Sequence, residues 1–462
     1  MADGTAQAGT KLTASGQAAR LTREAEMIST KHGSGAGRAL RRGAPAFLAA
    51  ATLIGAVACS SSSSSSSAAG AAATSAAATG SSSSGAATAA SAAGLSAYLP
   101  GKKATGTPVK VGLINNEGSS PQSEPSVGDA AEAAADYANA ELGGIGGHPL
   151  QVIRCGENED NASATACANE MVQDNVTVVV IGSTGFGSVM VPIITKAGIP
   201  YVSVTGSAAQ ELTTPGTYMW SGGYEATLTG FAKYAAQHGY KKVTAFVVNV
   251  PAAIAGAQQL GVPVFKAQGV GLTIEGVPSG VPDATAQVTA GLSGSPAAAI
   301  IIADEGTCTS VLKALNVVNP SLPAMGITSC LTTSATQALG NAMNGVKIFG
   351  ASAPQGDDPE AKLYQYVMAT WAPKANPTGY TVTGYQSMLG LIRATTGLTG
   401  AATPTSISAA IKAAKDVPLP AGAGLKFTCD GKALPSLPSV CSLGEVVVTV
   451  QNGVGTNAQV IQ

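Results

Sequence analysis

VTVVVIGSTGFGSVMVPIITKAGIPYVSVTGSA, residues 176–208, reads as strand, polar glycine loop, helix, strand and a second polar glycine loop. Val176 to Ile181 is a β-branched run of strand length, the pattern of a strand buried on both faces of a parallel sheet. It stops at Gly182, Ser183, Thr184, Gly185, Phe186 and Gly187, which offer hydroxyls and unencumbered backbone N–H groups where a helix begins. Val189 to Lys196 supplies that helix, Gly198 and Pro200 break it, and Tyr201 to Val204 is the next strand, ending at Thr205, Gly206, Ser207 and Ala208. Ligands of open parallel sheets bind beyond the carboxyl ends of the strands. The two loops are therefore the first candidate for one wall of a small-molecule site. The same residues also suit plain glycine and serine turns.

Upstream, Val109 to Ile114 predicts a strand, and Ser126 caps a helix with apolar residues spaced by three and four, from Val127 to Leu142. Gly143 and Gly144 close it. Leu150 to Arg154 is a strand, and Ala164 to Gln173 a helix. Together with the central stretch this makes a doubly wound α/β half-sheet. Downstream, Thr213 to Tyr224 leaves that half, and strands at Lys242–Val248, Leu272–Val277, Ala297–Ala303, Ala324–Thr328 and Val346–Ala351 alternate with helices to build a second half of the same pattern. Asp283 is expected to cap one of those helices. Pro359–Trp371, Thr383–Leu398 and Ser406–Lys415 are further helices, and Asp430–Gly431 reads as a turn.

Composition narrows the function. Only 11% of residues are charged, against about 25% in ordinary globular chains. A net charge of -1 gives no case for nucleic acid or for an anionic membrane surface. The 3 histidines are scattered singly, and no G-x-S-x-G, H-E-x-x-H, phosphate loop or G-x-G-x-x-G is present. The reading is therefore not an enzyme and implies no metal and no cofactor; an extracytoplasmic hydrolase ranks last. Asp357 and Asp358 adjoin in sequence and suit a helix start better than a glycosidase pair.

Arg38, Arg41 and Arg42 precede an apolar stretch from Ala44 to Ala58 that ends in small residues before Cys59. This describes a secretory signal over residues 1–58, with Met27 an alternative start. The stretch is shorter than the roughly 20 residues of a spanning helix. Ala56, Val57, Ala58 and Cys59 resemble a bacterial lipobox, with Cys59 the lipidation site; an ordinary signal peptide with an incidental cysteine is the alternative. Ser60 to Ala97 is almost wholly Ser, Ala, Gly and Thr, lacks the makings of a core, and predicts a flexible tether within residues 59–106. Six cysteines remain of 7 once Cys59 is set aside. Fifteen pairings are possible, of which the simplest joins neighbours, Cys155–Cys167, Cys308–Cys330 and Cys429–Cys441. An even count fits an oxidising compartment.

The run DAAEAAADYANAELGGIGGHPLQVI, residues 129–153, followed by VVVIGS and AGIPYVSVTGSA, resembles the first lobe of the solute-binding proteins of branched-chain amino-acid type ABC transporters. The resemblance runs from about Thr107 to the C-terminus. It implies a two-lobed type I periplasmic-binding fold, each lobe a doubly wound, mostly parallel sheet flanked by helices, joined by three hinge crossovers. On that pattern residues 107–222 form the first part of lobe one, 223–350 the main part of lobe two, 351–424 a return to lobe one, and 425–462 a return to lobe two with C-terminal strands. It further implies a monomeric, lipid-anchored receptor on the outer face of the cytoplasmic membrane that takes an amino acid or related small carboxylate or amide and delivers it to ABC permease subunits. A ligand sensor for a signalling partner is the alternative.

Carried onto this chain, the ligand contacts of lobe one are Ser183, Thr184, Gly185, Phe186, Thr205, Gly206, Ser207 and Ala208, with helix N-termini behind them favouring a carboxylate. Phe186 and Trp220 are the aromatics expected against the ligand. The acidic residue that usually follows the Ala324–Thr328 strand is replaced by Ser329 and Cys330, and the aromatic that often follows Val248 by Asn249, Val250 and Pro251. Asp304 and Glu305 are left as the candidate partners for an ammonium, with surface carboxylates the alternative.

Overall fold

The computed structural model describes residues 94–118 and 123–462. The expected signal sequence, Cys59 and most of the tether lie outside the described residues.

The first sheet is built from β1 (Val109–Asn116), α1 (Pro125–Glu141), β2 (Leu150–Glu157), α2 (Asn161–Gln173), β3 (Val178–Ile181), α3 (Gly187–Lys196), β4 (Tyr201–Ser203), α4 (Ala209–Thr213) and β5 (Thr217–Met219). Its strands lie in the order β2-β1-β3-β4-β5, all parallel. β3 is buried along its whole length, which is why it reads as a continuous β-branched run.

The chain then passes to α5 (Gly223–Gln237), β6 (Lys242–Val248), α6 (Pro251–Gly256), a single π turn (Ala257–Gly261), α7 (Val262–Ala267), β7 (Gly271–Val277), α8 (Thr285–Leu292), β8 (Ala298–Ile302), α9 (Glu305–Val318), β9 (Ala324–Ile327), α10 (Thr333–Leu339) and β10 (Lys347–Gly350). After α11 (Pro359–Trp371), α12 (Thr381–Ala394), α13 (Pro404–Ala413) and the short pair β11 (Val417–Pro418) and β12 (Lys426–Phe427), it returns with β13 (Glu445–Gln451) and β14 (Val454–Ile461). The second sheet runs β14-β13-β10-β9-β8-β6-β7, parallel from β10 to β7 and antiparallel at β13 and β14. Two α/β lobes with three crossings between them result, after β5, after β10 and before β13.

Helices α11 and α12 follow the second sheet in sequence but pack on α1 of the first lobe. Alanine makes this possible: Ala130, Ala131, Ala133, Ala134, Ala135 and Ala138 are buried in α1. Gly384 of α12 sits so tightly on α1 that an added methyl would collide with the Val127 carbonyl. The segment before β1 is part of the same lobe. Leu95 is buried in its core, Tyr137 donates a hydrogen bond to the Tyr98 carbonyl (2.6 Å), and the Lys102 and Ala104 amides donate to Glu141 and Asn139.

The tether expected over residues 59–106 does not run that far, because Leu95 to Ala104 pack on lobe one. Three further local expectations needed correction. Ser126 does not cap α1: Pro125 occupies the first turn, where its missing N–H costs nothing, and the Ser126 hydroxyl accepts from Asn376 instead. Asp283 lies two residues before α8 and folds its carboxylate onto the Thr285 amide and hydroxyl, while Ala284 holds the cap position. Residues 425–441 do not pass to lobe two. Met219 at the free edge of β5 exchanges hydrogen bonds with Ser439 and Cys441, so the chain stays on lobe one until β13.

All three neighbouring disulfides are present. Cys155–Cys167 joins β2 to α2, Cys308–Cys330 joins α9 to the turn after β9, and Cys429–Cys441 closes the loop before the last crossing. Among the described residues no helix is long and apolar enough to cross a membrane.

Candidate functional site

The loops after β3 and β4 lie at the carboxyl ends of the first sheet, and most of their polar groups are already engaged. Ser183 receives the Asn116 amide on its carbonyl, and its hydroxyl lies near enough to the Glu124 carboxylate to favour the charged form. Thr184 donates to Glu157 (2.9 Å) and accepts from the Phe186 amide (3.0 Å). Gly185 donates its amide to Glu159 (3.1 Å). In the second loop the Ser207 and Ala208 amides both donate to Glu211 Oε2, at 2.8 and 2.9 Å. Thr205 and Ser207 are exposed, and Gly206 packs over the Glu211 stem.

Glu211 is the pivot of this wall. It is buried, takes the Tyr201 hydroxyl on its other oxygen (2.6 Å), and lies against Gly187 at the start of α3, where any side chain on that glycine would displace it. A carboxylate at that place is stabilised by the helix N-terminus and by the amides it receives. Burial raises the carboxyl pKa values of Glu124 and Glu157; the Ser183 and Thr184 hydroxyls oppose the rise and the neighbouring Glu159 charge adds to it.

The aromatics fare differently from expectation. Phe186 stands immediately before α3 and is partly buried against the core beneath it. Trp220 is fully buried: it stacks on Phe427 at 4.8 Å, donates its indole N–H to the Ser387 carbonyl (3.1 Å), and is a core residue of lobe one. Its place at the first crossing invited the ligand reading; the tight approach of Gly390 on α12 is what encloses it.

On lobe two, Asp304 caps α9, accepting from the Thr307 amide (2.9 Å), the Thr307 hydroxyl (2.8 Å) and Ser279 (3.1 Å), and these hydrogen bonds lower its pKa against a desolvation that works the other way. Glu305 is the first residue of the same helix. Ser329 is buried and donates to the Ala303 carbonyl (2.6 Å).

One residue that the sequence did not flag lies near both walls. Tyr380 precedes α12 on lobe one, is 46% exposed, and has Ser329 of lobe two and Glu124 of lobe one within electrostatic reach of its hydroxyl. Behind it, Thr383 donates to the Gly182 carbonyl (3.5 Å), and Gln386 donates to the carbonyls of Ala351, at the second crossing, and of Pro420, between β11 and β12. Glu124, Glu157, Glu159 and Glu211 were likewise missed, because each lies at or beside the end of a regular element or in a short helix, without any motif around it. A further cavity of about 1060 Å³, lined by Tyr98, Lys102, Tyr137, Glu360 and Arg393, lies at the opposite pole of lobe one, by the C-terminal ends of α1 and α12.

Residues 108–437 match the family model described as periplasmic binding protein. Solved structures share the architecture at low identity. The branched-chain amino acid transporter substrate binding protein LivJ of Streptococcus pneumoniae, in complex with isoleucine, is 18% identical with a TM-score of 0.60, over 77% of this chain and 99% of that one. A solute binding protein from R. palustris in complex with 4-hydroxybenzoate is 17% identical, TM-score 0.62, over 77% and 97%. An ABC transporter substrate-binding protein from Sphaerobacter thermophilus is 15% identical, TM-score 0.65, over 76% and 98%. No curated protein matches the chain.

Proposed function

The chain belongs to the periplasmic binding protein family, and on that premise we propose that it is a lipid-anchored receptor which captures a small polar molecule between its lobes and hands it to an ABC importer. Cys59 carries the lipid, and the ligand class is an amino acid or a related small molecule, in keeping with the ligands named for the similar structures. The protein acts by binding and closure, with no turnover. The match of residues 108–437 to the periplasmic binding protein family carries the reading, supported by the two polar loops at the carboxyl ends of β3 and β4 in the first lobe. A ligand that bridges the gap favours the closed form because it contacts both walls only there.

Ser183, Thr205 and Ser207 form the first-lobe side of the contact. A thermal-shift screen of amino acids, small carboxylates, amides, amines and sugars on the full chain tests the proposal, since a molecule bound only by the native state raises the melting midpoint. At least one class is expected to raise it, and Ser183→Ala, Thr205→Ala and Ser207→Ala to weaken the hit. Unchanged affinity in all three removes this wall from the site.

A further inference from the structure

The amides expected to receive a ligand carboxylate already hold carboxylates of the protein itself. Glu159 takes the Gly185 amide, Glu211 takes those of Ser207 and Ala208, and Glu211 also lies against the first residue of α3. A ligand anion arriving here would meet built-in negative charge in place of free donors. Like charges close together in a partly desolvated site repel.

Glu124, Glu157 and Glu159 surround the same loop, and among the described residues none of them is paired with a basic side chain. Arg154, the cation of this wall, is spent on Glu117, Asp129 and Glu132. Buried or half-buried carboxylates ordinarily have a counter-charge. Among the described residues no three His, Cys, Asp or Glu side chains converge closely enough to hold a metal ion.

A separate observation points the same way. Asn115, at the end of β1, is fully buried; its amide nitrogen donates to Glu117 and to the Glu124 carbonyl, each at 2.9 Å. Its amide oxygen has no partner and points at the head of the Ser183 loop, 2.5 Å from where a methyl on Gly182 would stand. The corner thus offers carboxylates and an unused acceptor, and among the described residues no basic side chain is paired with them. An ammonium head has three donors and no acceptor.

We propose that lobe one recognises a cationic ligand, an organic amine, through Glu124 and Glu159, and that a carboxylate on the ligand is not required. This rests on the receptor reading above and narrows its ligand class. It also moves ammonium recognition from lobe two, where Asp304 is consumed as a helix cap, to lobe one.

Titration calorimetry on the full chain tests it with molecules of one shape and different charge: isoamylamine, leucine, 4-methylpentanoate and 4-methylpentanamide, supplemented by putrescine and choline. At least one amine is expected to bind ten times or more tightly than 4-methylpentanoate. Glu124→Gln and Glu159→Gln, each checked by circular dichroism, are expected to weaken that amine by roughly tenfold, as loss of a charge-assisted hydrogen bond does. Three results overturn the proposal: the carboxylate or amide binding as well as every amine, no amine binding, or both variants binding the amine like the parent. The first and third leave the receptor reading standing; failure of every molecule in the wider screen removes that reading too.

Discussion

Gly390 and Trp220 show how single residues set the first lobe. Gly390 faces the indole so closely that a methyl would stand 2.6 Å from its nitrogen. Gly390→Ala is expected to cost about 1 to 3 kcal/mol, read as a lower denaturant midpoint with unchanged slope. Glu445 is the more informative residue. It is buried at the first position of β13, its Oε2 takes the Thr227 hydroxyl at 3.3 Å, and burial pushes its pKa up to about 8 from 4.5. The unfolded chain ionises Glu445 near 4.5 and the folded chain only near 8. Stability is therefore full below pH 4.5, falls as pH climbs through that window, and changes no further above it, with a total loss on the order of 3 to 5 kcal/mol. Glu445→Gln is expected to flatten the stability profile between pH 5 and 8 and to raise the melting midpoint at pH 8; an unchanged slope would sink the assignment. Neither residue was legible from sequence. Trp220 lies in a glycine-rich stretch beside a crossing, which reads equally as site or core, and only the return of α12 decides between them.

Elements were far more legible than their edges. β3 and β6 announce themselves because burial on both faces leaves little but β-branched and apolar residues, and Pro359–Trp371 is bounded by Asp358 at the cap and proline in the first turn. The ends of β1 and β2 extend past the apolar runs into Asn115, Asn116 and Glu157, polar residues that continue the ladder beside the candidate site. Periodicity cannot see this, since the polar residues are paid for by hydrogen bonds made elsewhere in the fold. Helix α9 starts directly after β8, at Glu305, because Asp304 caps it. The disulfide between β2 and α2 fastens the wall that carries Glu157 and Glu159. Replacing Cys155 and Cys167 by Ala is expected to cost about 3 kcal/mol and to weaken ligand binding as well; a melting midpoint within a degree of the parent would contradict that.

At the scale of the whole molecule, the resemblance carried the two lobes and the number of crossings, while the line where the last crossing leaves lobe one did not follow from it. Residues 428–441 look like a loop in sequence because their hydrogen bonds run to Met219, far away along the chain. The segment before β1 was also read as tether up to residue 106. Leu95, Tyr98, Lys102 and Ala104 instead complete lobe one, and deleting residues 94–106 is expected to cost about 2 to 4 kcal/mol, measurable by chemical denaturation. A deletion with the parent's stability would show that the strap rests on the lobe without holding it.

That strap has a mechanical meaning. Tension applied upstream of Gly94 loads the first lobe alone, through Leu95 and the Tyr98–Tyr137 bond, and never crosses a hinge. On the receptor reading proposed above, closure then amounts to the second lobe swinging against a held partner, and the swinging face would be the one whose position tells a neighbour whether the gap is full.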